Sequence, residues 1–550
     1  MASLNPLNSN LDLRKAKHLL RRATFNYTKE QLEAFVGLSV SEAVNILTTD
    51  ASYILPEPYD PLPTTNPDGF WLSSGLHPNT FTGNGRKRAY ITGWWWYNAL
   101  NQVSLKYKLS FFLHTSFTIG KDSGAGFPSN TFDHIRLLDY YALGNLKTLA
   151  KKITLDNAML DYLDNTQNNA NNPNENYARE YLELFTILKG EQIGEGNYTN
   201  YTEFDIQQAA KVFSGFKTKT DRTIIDIDTN IPSGYANANQ HNSENKTFSS
   251  AFGEHTITGR DTDTGMIDEL HDFVDMIFNQ SETAKAYCRK LYRYFVKSHW
   301  NETVETDIIL PLSEILINND YEILPVITRL LSSEHFYDSD DSDNTDNTIG
   351  AIIKSPLQLF TEVISFFDLD FPNPSIDSYR FYNNFFNKFI HNSCLKASGM
   401  PFYDPDSVAG YPAYYQEPNF DQNWFSSNTI IGRYKFIESL ILGKNTITSG
   451  NIYALLDTVL FIENKIDIDT AKNPNTLISK IANLLYPESI DSDRINYFKT
   501  YLIEDANDYY WTGAWSKYIS THSDEDKNTV KLRLDSLISA MINAAEFQLM

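Results

Sequence analysis

Cysteine is almost missing from this chain, with only Cys288 and Cys394 among 550 residues. A pair so widely separated builds neither a disulfide framework nor a zinc cluster, so two free thiols are expected. Long apolar runs are missing as well, and no stretch approaches the length that crosses a bilayer. Positive charge is scarce. Lys and Arg number 46 against 69 Asp and Glu, a formal charge of −23, and no basic stripe offsets it. Such a chain repels phosphate backbones, which excludes nucleic acid as a partner. HExxH, GxSxG, Walker A, and GxGxxG in a strand–helix setting are all absent. Zincin, α/β-hydrolase, P-loop and dinucleotide-binding chemistry therefore have no support. The N-terminal segment "MASLNPLNSNLDLRKAKHLLRRATF" lacks the continuous apolar run of a secretory leader. Its twin arginine, Arg21-Arg22, precedes "ATFNYTKEQ" and not a hydrophobic stretch. The expected location is cytoplasmic as the sequence is written, and periplasmic or extracellular if a leader has been removed.

What is present is a folding composition. Apolar residues make up 41%, too many for a disordered chain. At this length two or three closely packed units are expected. The divisions read as an N-terminal helical region over 1–150, a central one over 151–300, and a C-terminal one over 301–550. Aromatics reach 14%, with 33 Tyr and 34 Phe. Rings at that density serve a core, or a surface that stacks on sugars, and composition does not separate the two.

Helical periodicity dominates, which predicts a mainly α, multi-helix globular body with a small β insertion. "LDLRKAKHLLRRATF" and "TKEQLEAFVGLSVSEAVNILTT" read as amphipathic helices, and "YITGWWWYNALNQVSLKYKLSFFLHTSFT" as an apolar helical pair. Residues from about Tyr53 to Asn84 read as a long Pro/Gly/Asn-rich loop. Between about Lys217 and Gly259, "RTIIDIDT" and "NKTFSSAFGEHTITG" alternate and carry β-branched residues, which predicts the β insertion. "TGNGRKR" (82–88) reads as a basic loop. "DSDDSDNTDNT" (338–348) reads as an exposed acidic loop, since it lacks the Gly and Glu of a calcium loop.

The stretch "NNPNENYAREYLELFTIL", Asn171 to Leu188, carries the densest polar pattern. Asn172 reads as an N-cap, Pro173 as the first helical residue and Glu175 as the acid of a capping box. Tyr177, Tyr181, Leu184, Phe185 and Leu188 form an apolar arc. Glu175, Arg179 and Glu183 line the opposite face as an i,i+4 ladder. Glu180 falls on the margin of the arc, beside Leu184 and Ile187. A carboxylate there is either a buried ion-pair member, with Arg289 as the leading partner, or a site residue. His114, in "FFLHTSF", lies within an apolar helix and reads as a core histidine. His241, in a polar loop beside the β insertion, is better placed for function. His134, His255, His271 and His299 share no metal-ligand spacing, and no metal or cofactor is specified.

In order, "HLLRRATF", "KLSFFLHTSFT", "AMLDYLDN", "PNENYAREYLELFT", "QQAAKVFSGF", "HNSENKTF", "CRKLYRYFV", "IKSPLQL", "GMPFYDPDSVAGYP" and "NWFSSNTIIGRYKF" resemble the bacterial "domain of unknown function 1800" family. The resemblance spans about Leu13 to Phe436 and implies architecture and site positions, with no activity to carry over. Family members have two histidines in a WHNHF-like block. Here His114 matches the first, and Ser116 stands in place of the second. An HD-x-G-x-KTF-like block becomes His241-Asn242 through Lys246-Thr247-Phe248, without its acid. The candidate catalytic residues are Glu180, Glu183 and His241. The candidate binding residues are Asn174, Glu175, Arg179, His114, Lys246 and Arg289. The expected function is a hydrolase-like enzyme acting on a glycan or other envelope-derived substrate. The alternative is a non-catalytic binding or assembly protein that recognises a glycan or a protein partner.

Overall fold

Helix starts along this chain carry their own caps. Asp12 accepts from the Lys15 amide ahead of Leu13–Ala23. Thr28 with Gln31, Ser39 with Glu42 and Thr202 with Asp205 form reciprocal capping boxes. Each satisfies amides that the first turn otherwise leaves orphaned. The computed structural model describes residues 2–49, 84–340, 346–441, 443 and 456–550. The chain is mainly α, and the β structure among the described residues is three two-stranded antiparallel ribbons.

Two ribbons, Phe216–Lys217 with Tyr235–Ala236 and Lys246–Thr247 with Thr256–Ile257, fall where the insertion was expected. The third, Gln192–Gly194 with Asn197–Tyr198, lies ahead of it. "RTIIDIDT" forms no strand. Asp226 Oδ1 instead accepts from the Asp228 and Thr229 amides and the Thr229 hydroxyl, so a side-chain turn takes the place of a ladder. The helix expected over 28–49 divides at Gly37, whose φ of +92° suits glycine and no helix. The expected loop over 53–84 lies outside the described residues apart from Asn84. "TGNGRKR" was expected as a loop, but from Asn84 onward it is the start of Asn84–Leu100, because the Gly-Arg-Lys-Arg run leads straight into apolar periodicity. Residues 341–345 of the acidic segment also lie outside. At its described ends, Asp338 accepts from the Thr348 and Ile349 amides and Asp340 pairs with His335 at 2.9 Å.

One hydrophobic cluster runs through the helices from Ala2 to Phe547. Trp95, Trp96, Trp511 and Trp515 are fully buried in it, so much of the aromatic content is core. A buried ionic knot crosses the same core. Arg21 donates to Glu362 Oε1 at 2.9 Å, Lys354 pairs with Oε2 at 3.0 Å, and the Tyr27 hydroxyl donates at 3.3 Å. Burial works to raise Glu362, but Arg21 and Lys354 overcome it and hold the carboxyl down at about 2. Arg22 donates to the Thr348 and Met550 carbonyls. The twin arginine is thus a tie between the first helix and distant parts of the chain.

Candidate functional site

The Asn171–Leu188 stretch begins its helix later than expected. Asn169 Oδ1 accepts from the Asn171 and Asn172 amides and Asn168 Oδ1 from the Asn174 amide, so a run of asparagines holds the chain in turns. The N-cap is therefore Asn174, not Asn172, with its side chain accepting from the Asn176 amide at 3.0 Å. Glu175 becomes the first helical residue, without a capping-box role, and pairs with Arg179 at 3.3 Å. Arg179 also reaches Glu183 at 3.7 Å and clamps Glu203 through both terminal nitrogens. The ladder face is thus a five-membered network, with Lys189 joining the part-buried Glu183 at 2.9 Å.

After Glu180 the helix widens to i→i+5 bonding over Tyr181–Phe185, and the Thr186 hydroxyl donates to the Tyr181 carbonyl. Tyr177, Tyr181 and Phe185 face the core, and Leu184 and Leu188 face a cleft. Glu180 is half-buried. Among the described residues it forms no ion pair, and burial followed by the nearby Glu183 charge pushes its carboxyl up. Its expected partner Arg289 is engaged elsewhere, with Glu305 at 2.6 Å and Glu282 at 3.4 Å.

His241 and Lys246 come together in a different place. The His241 Nδ1–H donates to the Ser214 carbonyl at 2.8 Å, and Nε2 lies 3.2 Å from Glu269. Lys246 Nζ reaches the other Glu269 oxygen at 2.5 Å, and all three side chains are fully buried. This group fastens the β insertion to the Asp263–Phe278 helix. His114 is buried too, its ring 4.4 Å from that of Tyr403 and 6.4 Å from that of His134. Burial drives its pKa well down, so the ring is neutral. Two residues on, Ser116 is also buried and lines the cleft.

That cleft has a volume of about 300 Å³ and is more enclosed than the wider hollow of about 480 Å³ beside the β insertion. Its floor is one face of the Ser281–Phe295 helix, where Ala286, Arg289, Lys290, Arg293 and Tyr294 recur at i, i+3, i+4, i+7 and i+8. The opposite wall comes from the far sequence, including Tyr414, Tyr415 and Glu417. Tyr294 and Tyr414 lie 5.3 Å apart, centroid to centroid. The Arg293 guanidinium is held between rings, 4.1 Å from Phe420 and 5.2 Å from Trp300. Burial outweighs the Glu417 charge and, with Arg289, brings Arg293 down to about 10. Lys290 donates to the Leu184 carbonyl, and burial, then Arg293, brings its amine down to about 7. Among the described residues neither Lys290 nor Arg293 forms an ion pair with a carboxylate. A shallower depression beside the β insertion contains Asp272 and Asp275, but these pair with Arg260 and Lys151.

Sequence reasoning singled out Arg289 and missed Lys290, Arg293, Ser116 and the tyrosines. The readable signal was in "CRKLYRYF", where cations four residues apart share a helix face with Tyr294. Glu417 and Tyr414 reach the cleft only through long-range packing, for which local periodicity has no signature.

A protein-family model described as "Protein of unknown function (DUF1800)" matches residues 18–549. No curated protein and no solved structure matches the chain.

Proposed function

The chain belongs to the DUF1800 family, and from its cleft we propose that it binds an anionic, ring-bearing small ligand, a carboxylated sugar being the best fit. One observation carries this reading: Lys290 and Arg293 line the same cleft as Tyr294, Tyr414 and Tyr415, and among the described residues no carboxylate is bound to either. Tyrosine rings stack on the C–H faces of a pyranose, and a buried guanidinium fixed between rings takes a carboxylate at little entropic cost. The non-catalytic alternative is therefore favoured over a hydrolase. Hydrolysis of a glycan calls for two converging carboxylates, whereas among the described residues the cleft lining offers Glu417 alone. Glu180 and Glu183 stand on the neighbouring helix, outside that lining, and His241 is enclosed with Glu269.

Calorimetric titration with glucuronate and with glucose tests the reading. Glucuronate is expected to bind and glucose to bind at least about tenfold more weakly, the value of one desolvated charge-assisted contact. Arg293→Met should abolish the difference. Equal affinity for the two sugars, or none for either, would sink the anionic assignment.

A further inference from the structure

We propose that Lys290 captures the carbonyl of its ligand as an imine, which makes the cleft a site for aldehyde- or ketone-bearing carboxylates. This rests on the anionic-ligand reading above and adds a covalent step to it. Three features of the geometry support it. Lys290 lines a cleft large enough for a small ring compound, beside Leu184, whose carbonyl its amine reaches. Its hydrogen bond goes to a neutral backbone carbonyl, that of Leu184, and not to a carboxylate that would keep it charged. Arg293 follows three residues later on the same helix face, the spacing at which side chains are neighbours, so a carboxylate held there brings its own carbonyl toward Nζ. The depressed basicity of Lys290 agrees, since an amine brought down to about 7 exists in part as the neutral nucleophile at neutral pH. The Tyr287 ring lies 5.9 Å from Nζ, Arg293 is the charge that acts on it, and Arg289, Glu417, Tyr294, Tyr414 and Tyr415 share the cleft lining.

The step balances without a redox partner. The Nζ lone pair forms a C–N bond with the carbonyl carbon, and the C=O π pair moves to oxygen, which takes up a proton. Nitrogen then gives up a proton, the carbinol oxygen is protonated and leaves as water, and a C=N bond remains. Glu417 lines the same cleft and acts on Arg293, and water entering the cleft carries these protons.

The test uses the full chain at pH 7 with 4-carboxybenzaldehyde, benzaldehyde and benzoate, with cyanoborohydride to fix the imine. Peptide mapping should place a single adduct from 4-carboxybenzaldehyde on Lys290, formed on the order of a hundredfold faster than on surface lysines. Benzaldehyde should label Lys290 about tenfold more slowly, because it lacks the carboxylate that Arg293 holds. Benzoate should compete, and Lys290→Met should lose the adduct while still binding benzoate. Labelling spread evenly over surface lysines overturns the proposal, and mapping on the unsubstituted protein decides this even if the variant does not fold. If benzoate binds and no Lys290 adduct forms, the binding reading survives and the covalent step falls. If benzoate does not bind, the anionic reading falls as well.

Discussion

Glu180 and Lys290 are held out of balance with their surroundings in opposite senses, and each can be read by its pH dependence. The Glu180 carboxyl is raised by burial and by Glu183, with no ion pair to compensate. Its charge therefore costs stability above the unfolded carboxylate range, and the cost disappears as both states become protonated. Glu180→Gln should raise the melting temperature at pH 7, with the gain shrinking toward pH 4. Glu183→Gln should instead cost about 1–2 kcal/mol, because it breaks part-buried pairs with Arg179 and Lys189. Identical melting curves for the two variants would place both carboxylates on one solvated face. Lys290 is lowered to about 7, so between that value and the ordinary lysine range the unfolded state binds more protons and stability rises with pH. Lys290→Met should accordingly stabilise the protein more at pH 6 than at pH 9. An advantage that is flat with pH would mean the amine titrates normally.

At the scale of elements, the Ser281–Phe295 helix does two jobs with one sequence. Tyr287, Leu291 and Phe295 enter the core, while Ala286, Arg289, Lys290, Arg293 and Tyr294 form the floor of the cleft. Ala286 lines that floor although it is itself buried. Ala286→Leu should abolish glucuronate binding and cost about 1–3 kcal/mol, since the added methyl groups must enter a filled contact before they reach the cleft. Normal binding by that variant would move the ligand elsewhere. The helix before the cleft shows how far local pattern reaches. Its apolar arc was legible and Tyr177, Tyr181 and Phe185 are indeed buried. Its start was not, because consecutive asparagines cap whichever turn the surrounding chain permits, and here Asn168 and Asn169 hold the turn ahead of Asn174.

For the molecule as a whole, the knot of Arg21, Lys354 and Glu362 joins segments more than three hundred residues apart in sequence. Glu362→Gln leaves two buried cations without their counter-ion and should cost about 3–5 kcal/mol in urea unfolding. Because Glu362 is held at about 2, its contribution is present above the ordinary carboxylate range and is lost as pH falls from there through about 2. Acid unfolding should therefore be shifted to higher pH in the variant. Cys288 and Cys394 are both buried and free, with their thiols pushed up by burial. Native protein should react slowly with a thiol reagent, and denaturation without reductant should release both. Release of none would establish a bridge.

The mainly α class, the helical pairs and the place of the insertion were legible before any coordinates, because 3.6-residue periodicity and capping side chains are local properties. So were the free thiols and, among the described residues, the lack of a helix long and apolar enough to cross a membrane. Partner choice was not legible. Glu180 and Arg289 have the chemistry to pair, yet Arg289 takes Glu305 and Glu282 because the chain turns back beside its own helix. His241 sits in a polar loop in sequence and in a closed ionic group in space, because Glu269 arrives from a later helix. The cleft is the furthest from local rules. Its cations lie within one helix, but what makes them a site is that Glu417 and the tyrosines close over them while no carboxylate neutralises Lys290 or Arg293. Burial and counter-ion distance decide that, and both are properties of the packed chain.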